Sequence, residues 1–238
     1  MFQFSGIETV WFIIGCTNCQ GYLTLTLNHP QTLHAQDYSF RTLEKPSEGL
    51  FKEKGSKFLA FAYPVKTEED IKANLSALRK KYFDASHHCY AWMLGADKGR
   101  FRAFDDGEPN HSAGDPILGQ LRSVNLTNVL IVVVRYFGGV KLCVGGLISA
   151  YRAAAADAIS KASIVVEEVR QEMDLLYDYT FSREVMRLVK DYELNILDQN
   201  FSGKGFMKVA VRMAVKDKFI EQLKLLQAMK IEIDFKEL

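Results

Sequence analysis

The chain lacks any run of the roughly 18 apolar residues that a transmembrane helix needs, and it lacks low-complexity tracts. With 25% charged and 48% hydrophobic residues, its composition is typical of a soluble globular protein and excludes disordered and fibrous classes. A length of 238 residues can bury one large core or two ordinary ones. We therefore expect two compact domains and no membrane partner.

Lysine and arginine are absent from the first 40 residues. A secretory signal starts with basic residues, so we interpret residues 1–36 as a poorly ordered or mis-started leader. This leader contains a zinc-finger-like order of ligands at Cys16, Cys19, His29 and His34. Only nine residues separate Cys19 from His29, however, and Pro30 would break the helix that should carry both histidines. The sequence thus favours the absence of a metal site.

The remaining charge is unevenly distributed. Residues 41–167 hold 18 basic and 14 acidic residues, a net charge of +4, whereas residues 168–238 hold 12 and 13, a net charge of −1. The weak basic excess permits contact with phosphates without demanding it. The other two cysteines, Cys89 and Cys143, are isolated in apolar contexts, as expected of reduced thiols in a cytoplasmic protein.

Hydrophobic periodicity predicts an α+β fold. "GLFKEK" and "KFLAFAYPV" are typical of two strands, and a helix follows with Thr67 and Asp70 in capping-box positions. "SHHCYAWML" alternates as a strand with "RFRAF" as its hairpin partner, and "NVLIVVVRYF" is typical of a central strand buried on both faces. Pro116 opens a short helix, and another helix begins near Gly145. From about Val169 the pattern becomes β-α-β-β-α-β, the ferredoxin-like order, without clustered histidines, cysteines or carboxylates. This half is expected to be a binding surface rather than an active site.

The segment "VVVRYFGGVKLCVGGLISAY" places paired glycines between a strand and a helix. Bare backbone N–H groups at a helix start favour an anion, although close packing of strand, loop and helix explains the glycines equally well. The spacing matches neither a dinucleotide fingerprint nor a P-loop. The anion-binding hypothesis comprises Arg135, Gly138, Gly139, Lys141, Gly145, Gly146 and Arg152, with the basic side chains meeting phosphates.

The acidic loop "DDGEP" offers a competing hypothesis. Its carboxylates, with a histidine, compose a candidate cleft at His88, Asp105, Asp106 and Glu108, and His111 lies nearby in the sequence. Such a set could serve a hydrolase or a metal-dependent enzyme. The same composition is typical of a turn, in which each carboxylate makes hydrogen bonds worth about 1 kcal/mol. We favour the turn, and we expect no metal and no cofactor.

The segments "SHHCYAW", "DDGEP" and "VVVRYFGGVKLCVGGLISAY" resemble the signature segments of the IMPACT / YigZ family. The resemblance implies an IMPACT domain over residues 37–165, similar to the ribosomal-protein-like βαβ fold of elongation factor G domain IV. It also implies a ferredoxin-like domain over residues 168–238, similar to domain V of that factor. Family members are linked to translation control. Three positions depart from the family pattern: His111, Asp115 and Cys143.

The hypothesis that follows is a non-catalytic, translation-associated regulatory protein that binds RNA, the ribosome or a translation factor. The alternative is a hydrolase or metal-dependent enzyme that uses the acidic loop.

Overall fold

The structure, a computed structural model, describes residues 38–200 and 203–238. The predictions for the leader and its zinc-like cysteines and histidines lie outside these residues. The described chain has a mixed α/β architecture with three sheets. In chain order the elements are β1 (Ser39–Leu43), β2 (Ser47–Glu53), β3 (Ser56–Pro64), α1 (Glu68–Lys81), β4 (His87–Leu94), β5 (Arg100–Phe104), α2 (Gly114–Ser123), β6 (Val129–Tyr136), α3 (Val144–Ser160), β7 (Ile164–Glu168), β8 (Arg170–Tyr177), α4 (Ser182–Asp191), β9 (Asn195–Asn200), β10 (Gly205–Arg212), α5 (Lys216–Ala228) and β11 (Ile233–Glu237).

The first sheet has five strands in the order β2-β3-β6-β4-β5, and all its pairs are antiparallel. β6 is the middle strand, and all its residues except Tyr136 are buried, which confirms the prediction of a strand covered on both faces. Helices α2 and α3 pack against one face, and α1 packs against the other. Side chains of β4 alternate between these two cores, with Cys89 and Ala91 in the first and Tyr90 and Trp92 in the second.

Helix α1 begins where its sequence predicts. Thr67 is the N-cap; its hydroxyl accepts the Asp70 N–H at 3.1 Å, and the Asp70 carboxylate accepts the Thr67 N–H at 3.0 Å. This reciprocal capping box satisfies two N–H groups that a helix start otherwise leaves without a partner. Ile71 and Leu78 are buried against the sheet, as the 3.6-residue period requires.

The last six labelled elements follow the predicted β-α-β-β-α-β order from β8 to β11. Their sheet has the antiparallel order β11-β8-β10-β9, the strand order of the split βαβ arrangement. A separate hydrophobic core, which includes Leu175, Val209 and Phe219, lies between this sheet and helices α4 and α5.

The small third sheet was not predicted. β1 pairs antiparallel with β7, from Ser39 opposite Glu168 to Leu43 opposite Ile164. Because β7 runs across the expected boundary between residues 165 and 168, the two domain limits and the likeness to elongation factor G stay predictions. No helix within the described ranges combines the length and hydropathy needed to cross a bilayer.

Candidate functional site

Asp105 holds the acidic loop together through its side chain. Its Oδ1 accepts the N–H groups of Ala113 at 2.9 Å and Gly114 at 2.8 Å, and its Oδ2 accepts the N–H of His111 at 2.9 Å. Ala113, the N-cap residue of α2, has no side-chain acceptor of its own. Asp105 therefore caps α2 from across the loop. This is the kind of local hydrogen bonding to backbone N–H groups that the composition of the DDGEP segment predicts.

Asp106 ties the loop to β4 and α1. Its Oδ2 accepts the His88 N–H at 2.7 Å, and Arg79 Nη2 lies 3.3 Å from its Oδ1. The residue has a φ of +45°, a left-handed conformation that aspartate tolerates better than most residues. Its backbone oxygen lies 2.8 Å from Nδ1 of His87. The carboxylate and the backbone oxygen of Asp106 thus both help to position the loop.

The role of the Glu108 carboxylate differs from the turn hydrogen bond that the sequence predicts. Its backbone N–H closes the turn on Asp105, but its carboxylate is buried, with a side-chain exposure of 4%. Oε1 pairs with Arg135 Nη1 and accepts the Tyr151 hydroxyl at 2.8 Å, while His87 Nε2 lies 3.9 Å away. The assignment of the Glu108 carboxylate to a turn hydrogen bond is therefore wrong. It is the buried counter-charge of an arginine at the end of the central strand.

Arg135 is consequently placed away from the surface. Its guanidinium is buried, pairs with Glu108 rather than with Asp105 or Asp106, and lies 5.4 Å from the ring centroid of Phe58. A buried charge of this kind is stable in the folded protein only while its counter-charge is present. Among the three basic residues of the anion-binding hypothesis, Lys141 and Arg152 are exposed, and Arg135 is not.

Two reactive groups adjoin this ion pair. Cys89 Sγ lies 3.3 Å from the Tyr151 hydroxyl and 3.0 Å from the backbone oxygen of Asp105. Burial is the main cause that raises the pKa of both the Cys89 thiol and the Tyr151 phenol. Both groups therefore stay protonated at neutral pH, and Cys89 has no thiolate with which to act as a nucleophile.

The structure does not join His88 to the buried carboxylate. His88 lies on the α1 face of β4, whereas its neighbour His87, which approaches Glu108, lies on the opposite face. Burial lowers the pKa of His88, so the ring is neutral at pH 7. No group of three or more histidines, cysteines or carboxylates that could hold a metal occurs in the part of the chain that the structure describes.

The four glycines after β6 serve different purposes. Gly138 packs directly on the β2–β3 turn: a Cβ there would lie 1.9 Å from the backbone carbon of Gly55. Gly139 has a φ of +86°, which few other residues adopt. Gly145 and Gly146, in the first turn of α3, differ from both. Beyond its own helix backbone and chain neighbours, a Cβ on Gly145 would meet no described atom within 4 Å, and one on Gly146 would meet its nearest neighbours at an ordinary 3.6 Å.

The surface around these glycines is open. Phe137, Val140 and Val144 are each about half exposed, at 49%, 53% and 50%. Cys143 is the N-cap residue of α3 and makes no side-chain capping bond, so the first-turn N–H groups have no acceptor from it. The glycine loop, defined as residues 137–146, thus presents bare backbone donors and apolar side chains next to Lys141.

Comparison with known proteins identifies the family. A model of the Impact N-terminal domain matches residues 54–159. An IMPACT family member of Haemophilus influenzae is 31% identical over 170 residues, which cover 71% of this chain and 81% of that protein. The chain belongs to the IMPACT family. The IMPACT family member YigZ of Escherichia coli is 30% identical over 172 residues, covering 71% of this chain and 84% of that one. A solved structure, described as that of a hypothetical protein, has a TM-score of 0.67 and 27% identity, and covers 84% of this chain and 98% of its own.

Two of the three departures from the IMPACT family pattern contact each other. His111 Nδ1 lies 2.6 Å from Asp115 Oδ2, and both side chains are exposed. His111 also has a φ of +64°, a left-handed conformation that histidine adopts more readily than most residues other than glycine. The unusual histidine and the unusual aspartate therefore form one local pair at the start of α2, away from the Glu108 carboxylate.

Proposed function

We propose that this IMPACT-family chain is a non-catalytic, translation-associated regulatory protein that binds RNA, the ribosome or a translation factor. The link to translation rests on the family resemblance. The binding role rests on one observation within the chain, the state of Gly145 and Gly146 in the glycine loop.

Two adjacent glycines in the first turn of a helix lower its stability, since each is up to about 1 kcal/mol less favourable than alanine within a helix. Neither position is crowded by another described residue, and neither has a left-handed backbone. Packing inside the described fold therefore does not require them. A binding partner that approaches the backbone closely would require glycine at both positions, because any side chain would stand in its way. The exposed N–H groups at a helix start suit a phosphate as that partner group.

The acidic loop supports the non-catalytic part of the proposal. Asp105 and Asp106 are engaged by backbone N–H groups, and Glu108 is the counter-charge of Arg135. An acid–base pair must reach a substrate from a cleft, whereas the Glu108 side chain is only 4% exposed. In the part of the chain that the structure describes, these three carboxylates are thus engaged in contacts that hold the fold.

The test uses glycine-to-alanine substitutions in two helices. The Gly145→Ala/Gly146→Ala variant adds two methyl groups to the glycine loop, and Gly119→Ala adds one to α2, where a Cβ, as at Gly145, would meet no described residue that packs on the helix within 4 Å. Both variants should be as stable as the wild type or more so. After mild crosslinking in cells and purification, RNA, ribosomes or translation factors should be recovered with the wild type and with Gly119→Ala, and should be depleted with the loop variant. Equal recovery with all three proteins would contradict the role of the glycine loop.

A further inference from the structure

A groove of about 500 Å³ lies beside the β2–β3 hairpin, on the face of the five-stranded sheet that α1 covers only in part. Its walls combine two lysines with three aromatic side chains: Lys52, Lys57, Tyr82, Tyr136 and Phe137. Among the residues that the structure describes, the remaining lining is Gly55 and two leucines, and none of these lining side chains is acidic. Tyr136 and Phe137 belong to the segment that carries the family resemblance, and the Phe137 ring also lies 5.9 Å from the guanidinium of Arg135.

We propose that this groove binds a nucleotide unit of single-stranded RNA, with its phosphate between Lys52 and Lys57 and its base stacked on the aromatic wall. This proposal rests on the proposed function, and it adds the class of ligand, single-stranded RNA, and the place where the ligand binds.

The two lysines make the case for an anion. Lys52 and Lys57 are direct cross-strand partners, and both side chains line the groove. Like charges directly opposite each other on one face of a sheet oppose folding. Neither lysine forms a salt bridge with another described residue. A phosphate between these two exposed lysines would convert their repulsion into two favourable contacts.

The aromatic wall makes the case for a base. The Tyr136 hydroxyl donates to Asp84 Oδ1 at 2.8 Å, and the Tyr82 ring packs on Phe61 at a centroid distance of 5.3 Å, so both rings are held in place. Phe137 is 49% exposed, and its ring lies 5.9 Å from the Arg135 guanidinium, so the ring is anchored on one side and still accessible to a base. Rings of this kind stack on any base without reading its sequence.

The groove is also rigidly assembled. The Gly138 N–H donates to Ser56 Oγ at 3.1 Å, and Gly138 lies against Gly55 too closely for any side chain. The backbone of Phe137, next to Gly138, is therefore held at a fixed place relative to the backbone of Lys57, next to Ser56. A site assembled before binding loses little conformational freedom on binding. An acidic peptide would use the lysines but not the stacked rings, so the combination favours RNA over an acidic protein partner.

The decisive variant is Lys52→Glu. It replaces a like-charge cross-strand pair by an opposite-charge pair, so the melting temperature should stay equal or rise while RNA binding weakens. The matched control is Lys224→Glu, which makes the same change of net charge at an exposed position of α5. If Lys52 had only a structural role, the substitution would not leave the melting temperature equal or higher while weakening RNA binding. A second variant, Phe137→Leu, keeps an apolar side chain and removes the stacking ring.

Binding is measured on the full chain by fluorescence anisotropy with a labelled 12-nucleotide oligo(A) RNA. The Lys52→Glu variant should lower the slope of log affinity against log salt by about 0.7, the value for one phosphate contact on a single strand. Phe137→Leu should weaken binding by about fivefold or more, the loss expected for one stacked base. Lys224→Glu should bind as the wild type does.

Three results would overturn the inference, and they separate it from the proposed function. If the wild type binds the RNA and both groove variants bind it as tightly as Lys224→Glu does, the groove is not the site, and the proposed function is unaffected. If an oligo-glutamate peptide competes as well as unlabelled RNA and Phe137→Leu has no effect, the groove takes an acidic protein segment. If the wild type binds neither oligo(A) nor ribosomes, both the groove and RNA binding as the proposed function are wrong.

Discussion

Replacing Glu108 by glutamine should destabilise the protein strongly, because it leaves Arg135 buried without a counter-charge. The two side chains are only 4% and 7% exposed, so water cannot replace the lost carboxylate. Breaking a buried ion pair by removing one partner costs about 3–5 kcal/mol. That is a large part of the about 5–15 kcal/mol by which a folded protein is stable. For a chain of this size it corresponds to a fall in melting temperature of about 6–20 °C.

The assay is urea unfolding followed by tryptophan fluorescence in a Trp11→Phe background, so that Trp92 in β4 alone reports on the five-stranded sheet. The matched control is the double variant Glu108→Gln/Arg135→Met, which removes both charges. It should recover part of the lost stability, since an uncharged pair of similar volume has no unpaired buried charge. Recovery should be incomplete, because the guanidinium also contacts the ring of Phe58.

A loss below about 1 kcal/mol for Glu108→Gln would refute this reasoning, because it would mean that the carboxylate contributes no more than an ordinary hydrogen bond. A metal bound stoichiometrically to the wild type and absent from the variant would go further. It would assign Glu108 to a metal site and promote the hydrolase alternative.

Three further predictions concern single features. Asp105→Ala should lower the free energy of unfolding by about 1–3 kcal/mol, since three N–H groups lose their acceptor, and urea unfolding that matches the wild type would contradict the capping role. Burial lowers the pKa of His88, so below about pH 6.5 the unfolded chain takes up a proton that the folded chain does not. The free energy of unfolding should therefore fall on acidification through this range, and it should fall less steeply in His88→Phe, as thermal melts at a series of pH values would show. Deleting residues 1–36 should leave the melting temperature nearly unchanged, and one zinc per chain that is lost in Cys16→Ser would contradict the interpretation of the leader.

The features that the sequence predicts correctly are those encoded by neighbours along the chain. The capping box of α1 depends on Thr67 and Asp70, three residues apart. The burial of β6 follows from its continuous apolar run, and the two faces of β4 follow from a period of two. Each of these patterns acts within one element, so no knowledge of the tertiary structure is needed.

The features that the sequence does not predict depend on residues far apart. Glu108 meets Arg135 across 27 positions and Tyr151 across 43, and no periodicity relates such distances. An arginine at the end of a buried strand indicates that a carboxylate must be near, and from the sequence Asp105 or Asp106 is the expected partner, whereas the structure pairs Arg135 with Glu108. The pairing of β1 with β7 is missed for the same reason, since its partners are more than 120 residues apart. The opposition of Lys52 and Lys57 also depends on the structure, because Glu53 pairs with Ser56 and the turn is therefore Lys54–Gly55; a turn at Gly55–Ser56 would instead place Lys54 opposite Lys57.

We propose that Lys141 and Arg152 meet phosphates, and the salt dependence of RNA binding tests this proposal most directly. Affinity for structured RNA should be measured from low to high salt for the wild type and for Lys141→Ala/Arg152→Ala, both exposed positions. The double variant should bind unrelated RNA sequences more weakly, and its log–log slope should be shallower by about 0.7–0.9 for each lost contact. If it instead binds RNA and ribosomes at low salt as the wild type does, the phosphate role is wrong. The four-stranded sheet of β8 to β11 then becomes the preferred contact surface.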